Sequence, residues 1–422
     1  MDFDIVVVGA GPAGSATARE LSRKGARVSL LEEHDTVGSP VHCAGLVTPR
    51  MMKLAEAPAG LVLNQVKGAH IHSPTGRTLT LGGDRARALV IDRAGLDRAL
   101  AGQAQECGAT LVLGTRVIGL ERMDGRARLH IQRDGRSSQL DTPLVVGADG
   151  IRSVVAGWKG PLRPPSAAAL MGAEVEVSGL DEEFVHVYLG SDVAPGWFAW
   201  LIPVDRAHAR VGVGTTQPGQ KLGRLLSTLL STKEELRGAR VLRVQGGLIP
   251  LTPSRHLYSD NVLLVGDAAG QVKPTSGGGL HLLMVGARLC AGAALNALTK
   301  GDPSRRVLRG YQSAWDSVMG LEMAREWVLR RLLLTLTLRE LDAIMDTLHR
   351  AEFRRLVSHY GDIDLQSELF TRLLGSALVK GSLFRLPVSL RPKLARLALE
   401  CGLYTLKEGV GALLRGRRFN GV

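Results

Sequence analysis

The chain has 422 residues, 45% hydrophobic and 4% aromatic, with 53 basic against 40 acidic side chains and a net charge of +13. Length and apolar content exclude a disordered chain and predict two or three domains with substantial cores. Cys43, Cys107, Cys290 and Cys401 are scattered without a C-x-x-C pair, so neither a zinc site nor a dithiol motif is expected, and the reducing cytoplasm is the expected compartment.

Met1-Asp2-Phe3 passes straight into an apolar run at residues 5–8, so no signal peptide is expected. That run reads as a buried parallel strand. Gly9-Ala10-Gly11-Pro12-Ala13-Gly14 follows, a tight turn into a helix with Pro12 in the first turn, where its missing N–H costs little. A second strand over residues 27–31 ends in Glu32, eighteen residues beyond Gly14. Strand, glycines, helix, strand and acid in this order predict a dinucleotide site, with the pyrophosphate on the helix N-terminus and Glu32 on the ribose.

A glycine- and proline-punctuated loop comes next, Gly38-Ser39-Pro40-Val41-His42-Cys43-Ala44-Gly45-Leu46. Residues 69–81 read as a hairpin turning at Pro74-Thr75-Gly76, and 128–140 as another turning at Asp134-Gly135. Residues 111–117 read as a strand. Val145 to Gly150 and Val262 to Gly270 are each an apolar strand running into small residues with one aspartate, Asp149 and Asp267. Between them, residues 162–250 alternate like an antiparallel sheet, and Trp197-Phe198-Ala199-Trp200-Leu201-Ile202-Pro203 is its most distinctive run. On a strand Phe198, Trp200 and Ile202 share one face, and Trp197, Ala199 and Leu201 the other. Gly277-Gly278-Gly279 opens an apolar helix at Leu280, which with His281, Arg288 and Asn296 reads as a buried helix rather than a membrane span. From Pro303 onward the chain reads as helices, punctuated by Gly361, Gly381, Pro387 and Pro392.

Residues 369–422 carry ten basic and two acidic side chains. Leu390, Leu394, Leu397, Cys401 and Tyr404 form one helical stripe, with Lys393 and Arg396 off it. Such a helix rests on anionic headgroups or packs on its own domain, and both readings stand; Arg415, Arg417 and Arg418 extend the charge. Nucleic-acid binding fits the charge, but no binding motif accompanies it, and none is expected.

Gly147-Ala148-Asp149-Gly150 with Arg152-Ser153 resembles the G-A-D-G-x-x-S segment of the para-hydroxybenzoate hydroxylase superfamily of flavoproteins. Gly266-Asp267-Ala268-Ala269-Gly270 resembles its G-D-A-A segment, and Arg93-Ala94-Gly95-Leu96-Asp97 its R-x-x-L-D segment. The resemblance implies FAD, with Asp267 at the ribityl chain, Arg93 on the cofactor and the Val117 backbone at the adenine. Pro40-Val41-His42-Cys43-Ala44-Gly45 is similar to the P-V-x-C-(A/S/G)-G loop of the geranylgeranyl reductase family. Pro274-Thr275-Ser276-Gly277-Gly278-Gly279-Leu280 resembles its segment after G-D-A-A-G, with Ser276 and Leu280 where threonine and isoleucine are commoner. Gly361 to Ser367 resembles a C-terminal segment, and Phe198 to Pro203 its Y/F-x-W-x-F-P run except for Ile202. Flavin halogenases share the last run except for Phe198.

The implied architecture is α/β: a Rossmann-like FAD-binding domain (1–65, 88–158 and 255–300), an antiparallel β-sheet substrate domain (66–87 and 159–254) and a helical C-terminal region (301–422). The implied activity is reduction of isolated double bonds in geranylgeranyl chains of an isoprenoid lipid by hydride from flavin N5. A flavin monooxygenase or halogenase, and a non-catalytic electron-transfer protein, are the alternatives. Cys43 is the expected catalytic side chain in a flavin-proximal role, for which His42 and His281 are weaker candidates; no residue stands out as the proton donor. Expected cofactor contacts are Gly9, Gly11, Pro12, Ala13, Gly14, Glu32, Cys43, Ala44, Gly45, Arg93, Val117, Asp149, Asp267, Gly278, Gly279 and Leu280, with Phe198, Trp200 and Ile202 lining the substrate cavity. No second G-x-G-x-x-G is present, so the expected reductant is NAD(P)H or a small redox protein such as ferredoxin. The expected location is the cytoplasm, peripheral on the inner face of the cell membrane.

Overall fold

The computed structural model describes residues 3–157, 166–254, 256–375 and 386–414. Its centre is a six-stranded sheet in the order Tyr258–Ser259, Val262–Leu264, Leu144–Gly147, Ile5–Val8, Val28–Leu31, Thr110–Val112. All neighbours pair in parallel except Tyr258–Ser259. Ile5–Val8 and Val28–Leu31 are buried along their whole length, as strands covered on both faces must be. The helices Pro12–Ser22 and Leu280–Thr299 pack against each other, and both contribute to the core around these strands. Among the described residues Leu280–Thr299 is the helix long and apolar enough to cross a membrane; Leu282, Leu283, Met284, Ala287, Cys290 and Ala294 bury one side of it in that core.

A seven-stranded sheet stands beside this core, in the order Arg240–Pro250, Ala167–Glu176, His208–Thr215, Phe198–Pro203, Phe184–Leu189, Gly68–His72, Thr78–Gly82. Its two faces are chemically different. Ala199, Leu201, Val211, Val213, Ala173 and Val175 point to one side and pack under Leu225, Leu226 and Leu229. Those leucines belong to the helix Leu222–Thr232, which the alternating pattern of 162–250 did not separate from the strands. The opposite face carries Phe198, Trp200 and Ile202.

On that face glycines replace side chains. A Cβ on Gly212 would collide with the Trp200 ring, and one on Gly214 with the Trp197 ring. The run Val211-Gly212-Val213-Gly214 thus sends valines to the helix and leaves room for indoles on the other side. Gly212→Val is expected to destabilise the protein by about 1–3 kcal/mol through overpacking, read as a lower urea midpoint with an unchanged slope.

Two expectations need correction. Residues 111–117 are not one strand: Thr110–Val112 ends, Gly114 turns at φ +59°, and Thr115–Arg122 begins in a separate three-stranded sheet. Trp197 lies outside the strand Phe198–Pro203, its N–H bonded to the Ala194 carbonyl in a turn. Released from the alternation, its ring stacks on Phe198 at 5.3 Å instead of pointing away.

The C-terminal helix Leu390–Leu414 packs on Leu321–Thr335. Leu390 is buried, and Leu394, Leu397 and Cys401 meet Val328 and Leu332, so this stripe is used within the chain. Lys393 reaches Glu340 and the Thr335 carbonyl, and Arg396 reaches Glu400. The Tyr404 side chain, Gly381, Arg415, Arg417 and Arg418 lie outside the described residues.

Candidate functional site

The glycine turn at the end of Ile5–Val8 is held from three sides. Gly9 has φ +97°, and its absent Cβ would fall 2.5 Å from the Ala148 carbonyl oxygen. A Cβ on Gly14 would collide with the Gly9 carbonyl and lie 3.2 Å from Ala148 Cβ, while one on Gly266 would lie 2.6 Å from Ala13 Cβ. The three separate stretches of sequence therefore meet at backbone distance. Gly11 differs: a Cβ there would meet nothing within 4 Å. Gly11 begins the helix Pro12–Ser22 without a side-chain cap, leaving the N-terminal N–H groups and the positive end of the helix toward that open space.

Glu32 closes the turn from the second strand. Its carboxylate accepts from the Ala10 N–H at 2.8 Å and from the His34 N–H at 3.1 Å, and His34 Nδ1 lies 2.6 Å away. The Glu32 carbonyl in turn accepts from Thr115 N–H at 2.8 Å, which brings the strand carrying Val117 alongside. Val117 is buried and pairs with Ile131 two residues beyond Thr115. Asp149 spends its carboxylate on its own turn, accepting from the Ser153 hydroxyl at 2.5 Å and from Val154 N–H at 2.7 Å. Burial pushes it above the usual carboxylate range despite these bonds.

Further along the cleft Arg93 starts the helix Arg93–Glu106, which Asp92 caps by accepting from Gly95 N–H at 2.9 Å. Its guanidinium pairs with Asp97 and meets the Cys43 thiol. Burial opposes the charge, but Asp97 and Cys43 hold Arg93 above its ordinary range. Its Nε has no hydrogen-bond partner among the described residues. Burial raises Asp267 to about 6, with Arg93 the charge that opposes the rise. Gly279, whose Cβ would lie 3.7 Å from Asp267 Oδ1, begins the helix Leu280–Thr299, again without a side-chain cap. Gly278 N–H is 3.5 Å from the Ser276 hydroxyl.

The Cys43 loop lies between this row and the large sheet. His42 Nδ1 sits 2.7 Å from the Gly246 carbonyl oxygen, and Gly45 N–H is 3.4 Å from Cys43 Sγ. Arg210 pins the loop from the sheet, donating at 2.9 Å to the carbonyls of both Ala44 and Ile91. Of the expected cavity residues, Trp200 packs against Gly212, and Phe198 joins Trp197, Leu170, Ile249 and Trp327 in an apolar cluster. Ile249 and Trp197 also approach Gly277, where a Cβ would lie 2.7 and 3.2 Å from them. Ile202 does not line this cluster. It is buried with Val66, Val90 and Val185, because its end of the strand lies over the small sheet of Leu46–Val47, Ala88–Ile91 and Val62–Val66.

Behind Gly277 the C-terminal region closes the site. Lys273, buried, donates to the Ile363 carbonyl, and Asp364 pairs with Thr48 and lies 3.6 Å from His281. Burial lowers His281 against the pull of Asp364. Thr275 Oγ1 is 2.5 Å from Glu326 Oε2 and 2.9 Å from Gln366 Oε1. Glu326 is 1% exposed, its Oε1 has no partner among the described residues, and burial raises it to about 7. Sequence reading assigned no role to Arg210 or Glu326. Neither stands in a motif, and each acts through residues more than 40 positions away.

An FAD molecule fits this row on two observations: the uncapped turn whose open space a Gly11 side chain would enter, and the orphaned Arg93 Nε. The FAD-binding domain family matches residues 2–224. A digeranylgeranylglycerophospholipid reductase of Methanothrix thermoacetophila is 30% identical over 374 residues, covering 84% of this chain and 94% of that protein. A protein of the same name from Methanocaldococcus jannaschii is 31% identical over 357 residues, covering 82% and 90%. A geranylgeranyl bacteriochlorophyll reductase-like structure from Thermoplasma acidophilum superimposes with a TM-score of 0.79 at 23% identity, covering 90% and 98%. The p-nitrophenol 4-monooxygenase of Pseudomonas putida shares the fold at a TM-score of 0.69 and 18% identity, covering 85% and 97%. At 30–31% identity to these reductases over more than four fifths of its length, and with the FAD-binding family matching over half of it, the chain belongs to the digeranylgeranylglycerophospholipid reductase family of FAD-binding proteins.

Proposed function

We propose that this protein is an FAD-dependent oxidoreductase that saturates isolated double bonds in the geranylgeranyl chains of a lipid. Reduced FAD supplies the hydride for one alkene carbon; the other carbon takes a proton. The observation that carries the reading is the apolar cluster of Trp197, Phe198, Leu170, Ile249 and Trp327 beside Gly277 and the cysteine loop. An alkene offers no hydrogen bonds, so its recognition requires apolar walls, and the positive charge developing on it requires exclusion of water.

The chain's own residues divide the remaining work. The uncapped N-terminus of Leu280–Thr299 offers N–H groups and a positive helix end to negative charge on the reduced ring. Glu326 holds the proton. The single Thr275 hydroxyl proton faces two acceptor oxygens, and both contacts are satisfied when Glu326 is itself protonated. Cys43, beside Arg93, is the flavin-side partner of this wall. Arg210 is a positioning residue. Arg210→Met is expected to lower turnover by about 10- to 100-fold by loosening the Cys43 loop, with bound flavin retained; equal loss of flavin would show a structural role instead.

A lipid substrate brings the protein to a membrane, on the cytoplasmic side. Since the stripe through Leu397 is buried, the exposed Leu333, Leu334 and Leu338 near Lys393 are the better contact. The reductant is NAD(P)H or a small redox protein such as ferredoxin; a net charge of +13 favours an acidic redox protein. Mass spectrometry of a geranylgeranyl lipid after anaerobic incubation with dithionite-reduced protein tests the reading. Products heavier by two hydrogens per step support it, and an unchanged lipid sinks it.

A further inference from the structure

The face of the large sheet turned away from the cysteine loop carries a second cluster of chemistry-bearing side chains. His70 and His72 come from Gly68–His72, and His186 and Tyr188 from its parallel neighbour Phe184–Leu189. The register places His186 opposite Leu201 and Tyr188 opposite Ala199, so both lie on the side covered by Leu222–Thr232. Glu235 arrives from the short turn Glu234–Leu236 after that helix.

Three ligand atoms converge there. His72 Nε2 is 3.0 Å from His186 Nδ1, which is 3.3 Å from Glu235 Oε1, and all three lie within 4.8 Å of one another. The edge of a tetrahedral zinc site with nitrogen and oxygen ligands is about 3.3 Å. Each flanking ligand is also oriented from behind. His72 Nδ1 is 3.0 Å from the Thr78 hydroxyl, and Glu235 Oε2 accepts from the Tyr188 hydroxyl at 3.1 Å. This is the outer shell that fixes tautomer and rotamer in metal sites.

Proton counting favours a cation. With His72 Nδ1–H donated to Thr78, His72 Nε2 presents a lone pair, and Glu235 presents another. A neutral His186 has one proton at most on Nδ1 and serves one of the two acceptors. Three electron-pair donors therefore face one another with a single proton among them, and a divalent cation would satisfy all three.

We propose that His72, His186 and Glu235 form a divalent-metal site of the zinc type, completed by water, which ties the sheet to the Glu234–Leu236 turn on the face opposite the flavin. This departs from the absence of a metal site expected from the cysteines: the ligands come from three segments separated by more than 40 residues and leave no spacing motif. Three segments joined by one ion make the site a clamp on the substrate domain, separate from the redox chemistry.

The test is a zinc titration of full-length, flavin-bound, untagged protein stripped with chelator, with metal counted by mass spectrometry and cobalt(II) absorption as the coordination probe. One equivalent bound, with tetrahedral cobalt bands and a zinc-dependent rise in melting temperature, is expected. His186→Ala should weaken binding by more than about 100-fold and Thr78→Val by about 10-fold, with flavin content unchanged. Glu235→Gln, on a surface turn, gives the same readout should His186→Ala fail to fold. Wild-type affinity in both His186→Ala and Glu235→Gln, or zinc binding abolished by Cys43→Ser, would overturn the proposal.

Discussion

A Gly14→Val protein is expected to purify without its yellow colour. Its Cβ would be driven into the Gly9 carbonyl, and Gly9 cannot retreat because it already sits at φ +97° against Ala148. The helix Pro12–Ser22 must shift away from the strand end, taking its free N–H groups with it. Overpacking of this kind costs about 3 kcal/mol, or roughly a 100-fold loss of FAD affinity. Gly11→Ala is the informative partner. Gly11 has φ −65°, which alanine adopts without strain, and its Cβ would meet no protein atom. The Gly11→Ala chain should keep its melting temperature when both proteins are compared without flavin, and still bind FAD more weakly. Flavin content and thermal melts of both variants separate a broken fold from a filled cofactor seat. Full flavin occupancy in Gly14→Val would contradict the account.

The second large effect is expected at Glu326, where rate and stability respond to pH together. Burial raises its carboxyl to about 7, above the 4.5 of an exposed glutamate. The folded protein therefore binds the proton more tightly than the unfolded chain. The resulting stability is complete below the unfolded value and is lost as pH rises through about 7. The difference corresponds to a loss on the order of 3 kcal/mol between acid and alkaline conditions. Glu326→Gln removes that dependence, so the variant should be more stable than wild type at pH 8 and lose the advantage near pH 5. As a proton source, Glu326 should also make wild-type turnover fall above pH 7. The glutamine variant should be slower by about 100-fold, with a flat profile over the same range. Urea melts at the two pH values read the stability, and single-turnover rates read the chemistry. A variant with wild-type rate and wild-type pH profile would remove Glu326 from the mechanism.

The order of parts was legible because each motif is local. Strand, glycine turn and helix between Ile5 and Ser22 are read from adjacent residues, and so are the hairpin turns at Pro74-Thr75-Gly76 and Asp134-Gly135. Errors arose where tertiary context overrides alternation. Trp197 precedes its strand and so escapes the two-residue period, and of the three residues sharing a face Ile202 and Trp200 pack in one core while Phe198 joins the Trp197 cluster. Leu222–Thr232 was hidden because a helix inserted between two strands leaves apolar residues on both sides of it. Arg210 and Glu326 were not legible at all, since a charged residue in a strand or helix usually faces water. Only the meeting of Arg210 with Ala44, and of Glu326 with Thr275, gives them meaning. The Trp197 to Pro203 run signalled the indole wall, and the alternation Val211-Gly212-Val213-Gly214 supplies the room for its rings.

Transfer of hydride from FAD to an alkene, rather than reaction of the reduced flavin with oxygen, separates a prenyl reductase from a monooxygenase on this fold. Anaerobic stopped-flow reoxidation of the dithionite-reduced protein by a geranylgeranyl lipid tests it most directly. The lipid is expected to restore the oxidised flavin spectrum without oxygen, one double bond lost per flavin reoxidised. A flavin that stays reduced with the lipid and is reoxidised only when oxygen enters, leaving the lipid unsaturated, would contradict it.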